Sequence, residues 1–555
     1  LLQKRAETHS DTPFLVFYDD DKGERICLTY AQLLERVRKV AAFMRNDLQL
    51  GPGDVVALAD RNNHPDTVVV LFAAWAAGVM VAPINMREDR RRQQYILRHS
   101  TAKAVFARDR QDSGALENYL KRMTALAGDL GIPHVVQMGG EDRRAAWWLD
   151  TVEEQTEPED IDIFPMETGA LLVYTAGVTG DPKGVVLTHA MMYGVRALVE
   201  ANGLTEDHVF STSLPLFHLN AIVTGVLAAA YVGATVVLNR AFNPATFLER
   251  VEDEGITVTC VVPSMLSQVC QHVRDNSIKV KRDYPDAQEQ LQTVFCGAGQ
   301  LYPSVVRDVE ELLGIRIRHG WGMSEIACWG CQLPPDLTND EYSQLILKAR
   351  FPALGTPNSA IHMGIIDPET GAPLGPGEVG EIVAAGPGLM KGYYRNAVAN
   401  ARALEFGVLQ TGDQGYYEIF KRKNGTKLPI FYLTGRLKEI IERGGEKYST
   451  LEIDADLMRI PAVEHALAFG FRHNVYGQEV GAVVQLKEGA TLDQRLLWRH
   501  FMTLGYPWDK TPKVLKIVDA VINEQEDPRP RNDFAEHFEG LEEAEFPQPG
   551  FWNKK

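Results

Sequence analysis

Apolar positions along the chain repeat one arrangement at two places. From Val68 an apolar, alanine-rich stretch runs to Ala77, stops at Gly78 and resumes as Val79-Met-Val-Ala82 before Pro83. Its first part is long enough for a helix, the glycine is a C-terminal stop, and the short run beyond reads as a buried strand. The same unit recurs from Ala221 to Leu238, where Gly233 separates an apolar run from Ala234-Thr-Val-Val-Leu238. That run is long enough to raise a membrane span. Thr224, Gly225, Tyr231 and Gly233 interrupt it, however, and helix, glycine stop and strand is the better reading. Residues 170–174 and 291–296 add further apolar strands. Helices alternating with buried strands predict an α/β fold.

Two breaks organise the chain. Glu153, Glu154, Glu157, Glu159, Asp160 and Asp162 precede the strand at 170–174 and predict a solvated connector between two lobes of one large domain. The second break falls at Leu433-Thr-Gly-Arg-Leu-Lys438, after which helix and strand patterns alternate on their own. Residues 1–434 are therefore expected to form a large N-terminal domain of layered sheets and helices, and residues 435–555 a small α+β domain. No repeat of fixed period and no low-complexity segment stands out. The tail from Glu539, acidic and then Pro-Gly-Phe-Trp, suits either a disordered end or a packed arm.

Composition alters this picture in one respect. With 555 residues, 45% apolar and 24% charged, the chain is an ordinary globular protein too long for one core. Its formal charge of -17, however, opposes nucleic acid or an anionic membrane as a partner, because both are held by clustered Lys and Arg. A phosphate-bearing ligand must be held locally. Cys27, Cys260, Cys270, Cys296, Cys328 and Cys331 are scattered, which fits a reducing compartment, and the CxxC of Cys328 and Cys331 has no second pair to complete a zinc site. The start, Leu1 and then Gln3-Lys4-Arg5, has no signal-peptide pattern, so the expected location is cytoplasmic.

The strongest local signal is Tyr174-Thr-Ala-Gly-Val-Thr-Gly-Asp-Pro-Lys-Gly-Val185, a glycine-rich loop after an apolar strand and before a helix-like segment from His189. Gly177, Gly180 and Gly184 let backbone N–H groups approach an anion, Lys183 supplies a point charge, and Thr175 and Thr179 supply hydroxyls. No Gly-Lys-Ser/Thr closes the loop, so it is not a Walker loop.

This loop resembles the phosphate-binding motif of the adenylate-forming (ANL) superfamily, in its acyl-CoA synthetase branch. Further segments resemble the family's motifs in the family's order: Leu28-Thr-Tyr-Ala-Gln-Leu33, Ala77 to Pro83, Leu214-Pro-Leu-Phe-His218, Gly320-Trp-Gly-Met-Ser-Glu325, Gly377-Glu-Val-Gly-Glu381, Thr411-Gly-Asp-Gln-Gly415, and Gly435-Arg-Leu-Lys438 with Gly444-Gly445. The resemblance implies that Glu325 holds Mg2+ at the α-phosphate and that Asp413 and Arg436 face the ribose. It further implies that Gly297, Ala298 and Gly299 lie against adenine and the acyl group, together with Trp321, Gly322, Met323 and Ser324. His218 is expected to gate the acyl pocket, which Asn220, Trp321 and Met323 line. Relatives that take α-amino acids carry an Asp near this segment. None occurs between Phe210 and Leu238, so an uncharged acyl or aryl acid is expected.

Two departures weaken one half of the implied chemistry. Ala176 and Val178 replace residues that are usually hydroxylic in the family's loop, and Pro528 falls where the family's adenylation lysine aligns, with Arg529 the nearest cation. Losing a preorganised charge costs ~10²–10³ in rate. Lys438, on which the small domain is expected to rotate, and Gly444-Gly445, where a pantetheine arm would pass, are retained. The expected function is transfer of an acyl group from an acyl adenylate to CoA with release of AMP, the adenylate coming from a hydrophobic carboxylic acid, in one version through a separate adenylating ligase. The alternatives are a complete ATP-dependent acyl-CoA ligase, a non-catalytic adenylate-binding protein, and a carrier-protein thiol in place of CoA.

Overall fold

Both helix–glycine–strand units form. In the first, His64 caps the helix Pro65–Ala76 by accepting from the Asp66 N–H, and Pro65 occupies its first turn, where the missing N–H costs nothing. Gly78 then turns the chain at φ +73° into the strand Met80–Ile84, and a Cβ at this glycine would meet the Phe164 ring at 2.8 Å. The second unit differs in its winding. Ala221–Leu227 is a π-helix that passes into the α-helix Ala228–Val232, stops at Gly233 (φ +91°) and continues as the strand Thr235–Asn239. Among the described residues no helix is long and apolar enough to cross a membrane.

The structure is a computed structural model and describes residues 1–108, 118–140, 143–175, 182–299, 301–327, 329–349, 351–444, 446–522, 529 and 531–552. The chain forms two compact units, residues 1–338 with 355–363 and 384–408, and residues 339–354 with 364–383 and 409–555.

In the first unit, the larger sheet runs Ile317–Trp321, Thr293–Cys296, Val258–Val261, Val209–Thr212, Thr235–Asn239 and Pro13–Asp19, all parallel, between short antiparallel edges. The other sheet has the parallel strands Met80–Ile84, Val55–Ala59, Ala104–Arg108, His134–Met138 and Trp147–Trp148 beside Gly169–Thr175. Strands such as Val55–Ala59 are buried along their whole length, which is why they read as continuous apolar runs rather than as alternation. Gly169–Thr175 pairs antiparallel with Lys183–Thr188, Thr175 opposite Lys183, so the glycine-rich segment connects a hairpin. The helix expected at His189 begins as one tight turn, His189–Met191, and continues as Met192–Asn202.

The acidic connector needs correction at one residue. Glu157, Asp160 and Asp162 are exposed as expected. Glu153 instead lies on the helix Leu149–Gln155 and accepts two hydrogen bonds from Arg36, at 2.6 and 2.7 Å. Arg36 also reaches Asp66 at 2.8 Å, and Asp66 and Asp60 share Arg108 at 3.1 and 2.8 Å. Cations withdrawn from water in this way require counter-charges, and Glu153 is one of them.

The second unit holds a four-stranded sheet of His362–Ile366, Gly380–Ala385, Leu409–Lys421 and Lys427–Arg436, and a five-stranded sheet built around Val463–His473 and Gly477–Leu486. Lys427–Arg436 continues without interruption through residues 434 and 435. Up to residue 552 the tail is a packed arm: Trp552 is 8% exposed, its ring lies 5.1 Å from that of Trp508, and the Trp508 indole donates to the Phe546 carbonyl at 2.9 Å.

Candidate active site

Lys183 opens the strand that follows the glycine-rich segment, and its Nζ stands 4.5 Å from the ring centroid of Tyr393. Tyr393 belongs to the two-residue strand Gly392–Tyr393, which pairs with Val185 and Val186. The Asn400 amide fixes it from both sides: its Oδ1 accepts the Tyr393 N–H at 2.6 Å and its Nδ2 donates to the Tyr393 carbonyl at 3.0 Å. The Tyr393 hydroxyl donates to Glu325 Oε1 at 2.9 Å. Burial, and then the adjacent Glu325, push this hydroxyl far above the ordinary phenol range, so it stays protonated as the donor. Glu325 is 5% exposed on the single turn Ser324–Ile326, and its carbonyl accepts from the Met390 N–H at 2.7 Å.

A buried carboxylate is the hard oxygen donor that Mg2+ takes, so Glu325 fits the implied metal. Among the described residues no group of three or more His, Cys, Asp or Glu side chains could form a protein-only cage. A cation at Glu325 would therefore depend on substrate phosphate oxygens and water, which is the usual pattern for Mg2+.

Gly297, Ala298 and Gly299 follow the strand Thr293–Cys296, and Trp321, Gly322, Met323 and Ser324 follow or end its parallel neighbour Ile317–Trp321. Both groups thus lie at the carboxyl ends of adjacent strands, where open α/β sheets bind ligands. Ala298 adopts φ +63°, a left-handed conformation that non-glycine residues seldom take and that concentrates at functional sites. At Gly297 a Cβ would lie 3.0 Å from Trp329 and 3.2 Å from the Gly320 carbonyl.

His218 ends the Leu-Pro-Leu-Phe-His segment with its backbone N–H on the Pro215 carbonyl at 2.9 Å and its ring 4.5 Å from that of Phe217. Its surface remains accessible. Even so, the surrounding protein, followed by the nearby charge of Arg87, pushes the imidazole down to about 4. His218 is therefore neutral at pH 7. Asn220 Oδ1 accepts from the Thr224 hydroxyl at 2.7 Å.

In the second unit Asp413 and Arg436 face each other across the ladder, with Arg436 Nε 3.3 Å from Asp413 Oδ1. Asp413 is 5% exposed, whereas the Arg436 side chain is 60% exposed. Lys438 sits on the single turn Leu437–Glu439 directly after this strand. Glu439 receives Arg531 Nε at 3.0 Å, and Arg531 also binds Asp454 at 2.6 Å. Arg529, the nearest cation to the family's lysine position, lies 4.7 Å from the Phe534 ring, 3.6 Å from Asp533, and donates to the Ala520 carbonyl at 3.4 Å. Ala176, Gly177, Val178, Thr179, Gly180, Cys328, Gly445 and Pro528 lie outside the described residues.

Sequence reasoning singled out Lys183 and Glu325 but missed Tyr393, the residue that joins them. The available signal was Lys391-Gly-Tyr-Tyr394, an aromatic pair after a glycine in a polar stretch. Its partner strand is some two hundred positions earlier in the chain, and single-sequence patterns do not report such pairings.

Residues 2–394 match a family model described as AMP-binding enzyme. The chain is 30% identical over 500 residues to a feruloyl-CoA synthase of an Amycolatopsis species, covering 89% of this chain and 90% of that protein. It is 28% identical over 524 residues to an oxalate–CoA ligase of Arabidopsis thaliana, covering 92% and 93%. Its fold is similar to that of ATP-bound MatB from Rhodopseudomonas palustris, with a TM-score of 0.81 at 22% identity, covering 98% of this chain and 100% of that one. With a family model spanning most of its length and CoA ligases among its full-length relatives, the chain belongs to the AMP-binding enzyme family.

Proposed function

We propose that the protein is a CoA ligase that joins a carboxylic acid to the thiol of CoA through an acyl adenylate. The observation that carries this reading is the grouping of Lys183, Tyr393 and Glu325 within hydrogen-bond and ring-contact distance in the first unit. In the first half-reaction the acid's carboxylate oxygen attacks the α-phosphorus of ATP, and the bond to pyrophosphate breaks. In the second the CoA sulfur attacks the acyl carbonyl, the bond to the phosphate oxygen breaks, and AMP leaves.

Lys183 supplies positive charge toward the phosphates, and Tyr393 holds the Glu325 carboxylate in one orientation. Mg2+ bound at Glu325 would offset negative charge on the phosphates. Asp413 accepts hydrogen bonds from the ribose hydroxyls, and the exposed Arg436 presents its fork of donors to the same sugar or its phosphate. A neutral His218 adds no charge of its own to the path of an uncharged acyl group and a thiol. Residues 435–555 act as a small domain that turns about Lys438 between the half-reactions, bringing Gly444 and Gly445 to the pantetheine path. The reading places the enzyme in the cytoplasm, with no nucleic acid as a partner.

A second reading, in which the adenylating half is slow, is favoured by Pro528 at the family's lysine position. The engagement of Arg531 with Asp454 and Glu439 also favours it, because that guanidinium is already taken up by acids. The enzyme would then consume an adenylate made by a separate ligase. Single-turnover assays with CoA, supplied with either free acid plus ATP or synthetic acyl adenylate, test both readings. Equal rates from the two donors support the complete ligase. A rate at least about 10²-fold faster from the adenylate supports the second reading. No thioester from either donor refutes both.

A further inference from the structure

The His218 ring is exposed and has no hydrogen bond to its nitrogens among the described residues, so its place is set by the backbone that carries it. Asn63 grips that backbone. Its Nδ2 donates to the Leu214 carbonyl at 3.0 Å and to the Asn239 carbonyl at 2.9 Å, while its Oδ1 accepts from the Leu216 N–H at 2.8 Å. The Asn63 backbone N–H donates in turn to the Arg240 carbonyl at 2.9 Å. Two residues beyond Leu216, the chain turns back on itself as the His218 N–H meets the Pro215 carbonyl.

The side chain at 63 is 1% exposed, and its partners dictate its chemistry. Carbonyls only accept and an N–H only donates, so the position demands two donors and an acceptor at one short side chain. An ionised Asp has no donor, and Ser has one. The amide also ties two sheets together. Asn63 follows the strand Val55–Ala59 of one, whereas residues 214–216 and Asn239 follow or end the strands Val209–Thr212 and Thr235–Asn239 of the other. The loop that presents it is stiff on both sides. Before it, Asp60 accepts from the Thr67 hydroxyl at 3.0 Å and Arg108 Nε at 2.8 Å; after it, His64 caps the helix Pro65–Ala76.

Resting on the ligase reading above, we propose that Asn63 is a positioning residue for thioester formation, locking residues 214–216 so that the otherwise unanchored His218 ring is presented in one place while the CoA sulfur attacks the acyl carbonyl. None of its hydrogen bonds reaches Lys183, Tyr393 or Glu325, so adenylate binding does not depend on it.

The test compares wild-type protein, Asn63→Ala, His218→Ala and the double variant. Rapid-quench rates of thioester formation from benzoyl, cinnamoyl and octanoyl adenylates with CoA are set beside calorimetric affinities for the matching non-hydrolysable acyl-sulfamoyl adenosines. Asn63→Ala should slow the best-used adenylate about 10–100-fold, leave the analogue's affinity within about threefold, and change the rate less than about twofold when His218 is already Ala. Asn63→Ser, which keeps one polar contact, should show the same pattern at smaller size and serves if Asn63→Ala does not fold. Parallel loss of rate and affinity would overturn the inference, because a residue that merely supports the fold lowers both. An undiminished effect in the His218→Ala background would overturn it too, as would a His218→Ala rate equal to wild type, which leaves Asn63 nothing to act through. If the wild-type protein forms no thioester from any of the three adenylates, the ligase reading itself fails, which is a different result from loss of coupling.

Discussion

The Tyr393 corner and the Arg531 cluster both gather a buried carboxylate, a cation and a third polar group, but they treat the charge differently. In the second unit Arg531 binds Asp454 at 2.6 Å and Glu439 at 3.0 Å, so the cation is taken up by acids on either side. In the first unit the buried Glu325 is oriented by a neutral hydroxyl, and Lys183 rests on the face of the same ring. A salt bridge cancels charge. A hydroxyl orients a carboxylate and an aromatic face seats a cation, an arrangement that suits a site that must meet phosphate.

The largest way to break this contrast is Arg531→Ala. It strands Asp454, which is 1% exposed, and burial already pushes that carboxyl up despite the guanidinium. Removing one partner of a buried pair costs about 3–5 kcal/mol, so chemical denaturation of the variant should show a correspondingly lower stability. A loss below about 1 kcal/mol would mean that the cluster is not structural.

Tyr393→Phe comes next, because it keeps the ring beneath Lys183 and removes only the hydroxyl. A hydrogen bond to a charged group contributes about 1.5–3 kcal/mol, so affinity for Mn2+ in the presence of ATP, followed by electron paramagnetic resonance, should fall about 10–100-fold. Unchanged affinity would remove Tyr393 from the site. Arg529→Ala sharpens the comparison from the other side. A guanidinium packed on Phe534 and near Asp533 should leave adenylation within about threefold, whereas a stand-in for the family's lysine would lose about 10²-fold or more.

The smallest expected effect is on pH dependence. His218 is held at about 4 against an unfolded value near 6.5, so it binds no proton in the folded protein across neutral pH. Between those values the unfolded chain binds more protons than the folded one, and His218 therefore favours unfolding as pH falls through about 6.5 toward 4. The rate of thioester formation from acyl adenylate should show no limb near pH 6.5. A limb there would mean that His218 titrates as an ordinary imidazole.

How much of this was legible in the sequence depends on the distance over which each feature acts. The units at Val68 and Ala221 were readable because helix, stop and strand are local signals, and the order of motifs from Leu28 to Gly445 located Lys183, Glu325, Asp413 and Arg436. The pairing of Asp413 with Arg436 became visible only in the ladder. Tyr393 was missed for the same reason: its partners, Val185 and Glu325, lie far away in the chain. Glu153 was read as solvated because a run of acids is normally exposed, and nothing local showed that Arg36 would reach it.

The most direct test of the central claim is a single-turnover reaction of the purified protein with CoA and each of a panel of synthetic aryl and aliphatic acyl adenylates, with acyl-CoA and AMP quantified together. The account predicts equal amounts of both products, formed far faster than the adenylate hydrolyses in buffer. Release of AMP without acyl-CoA, or adenylates that all outlast the assay, would contradict it.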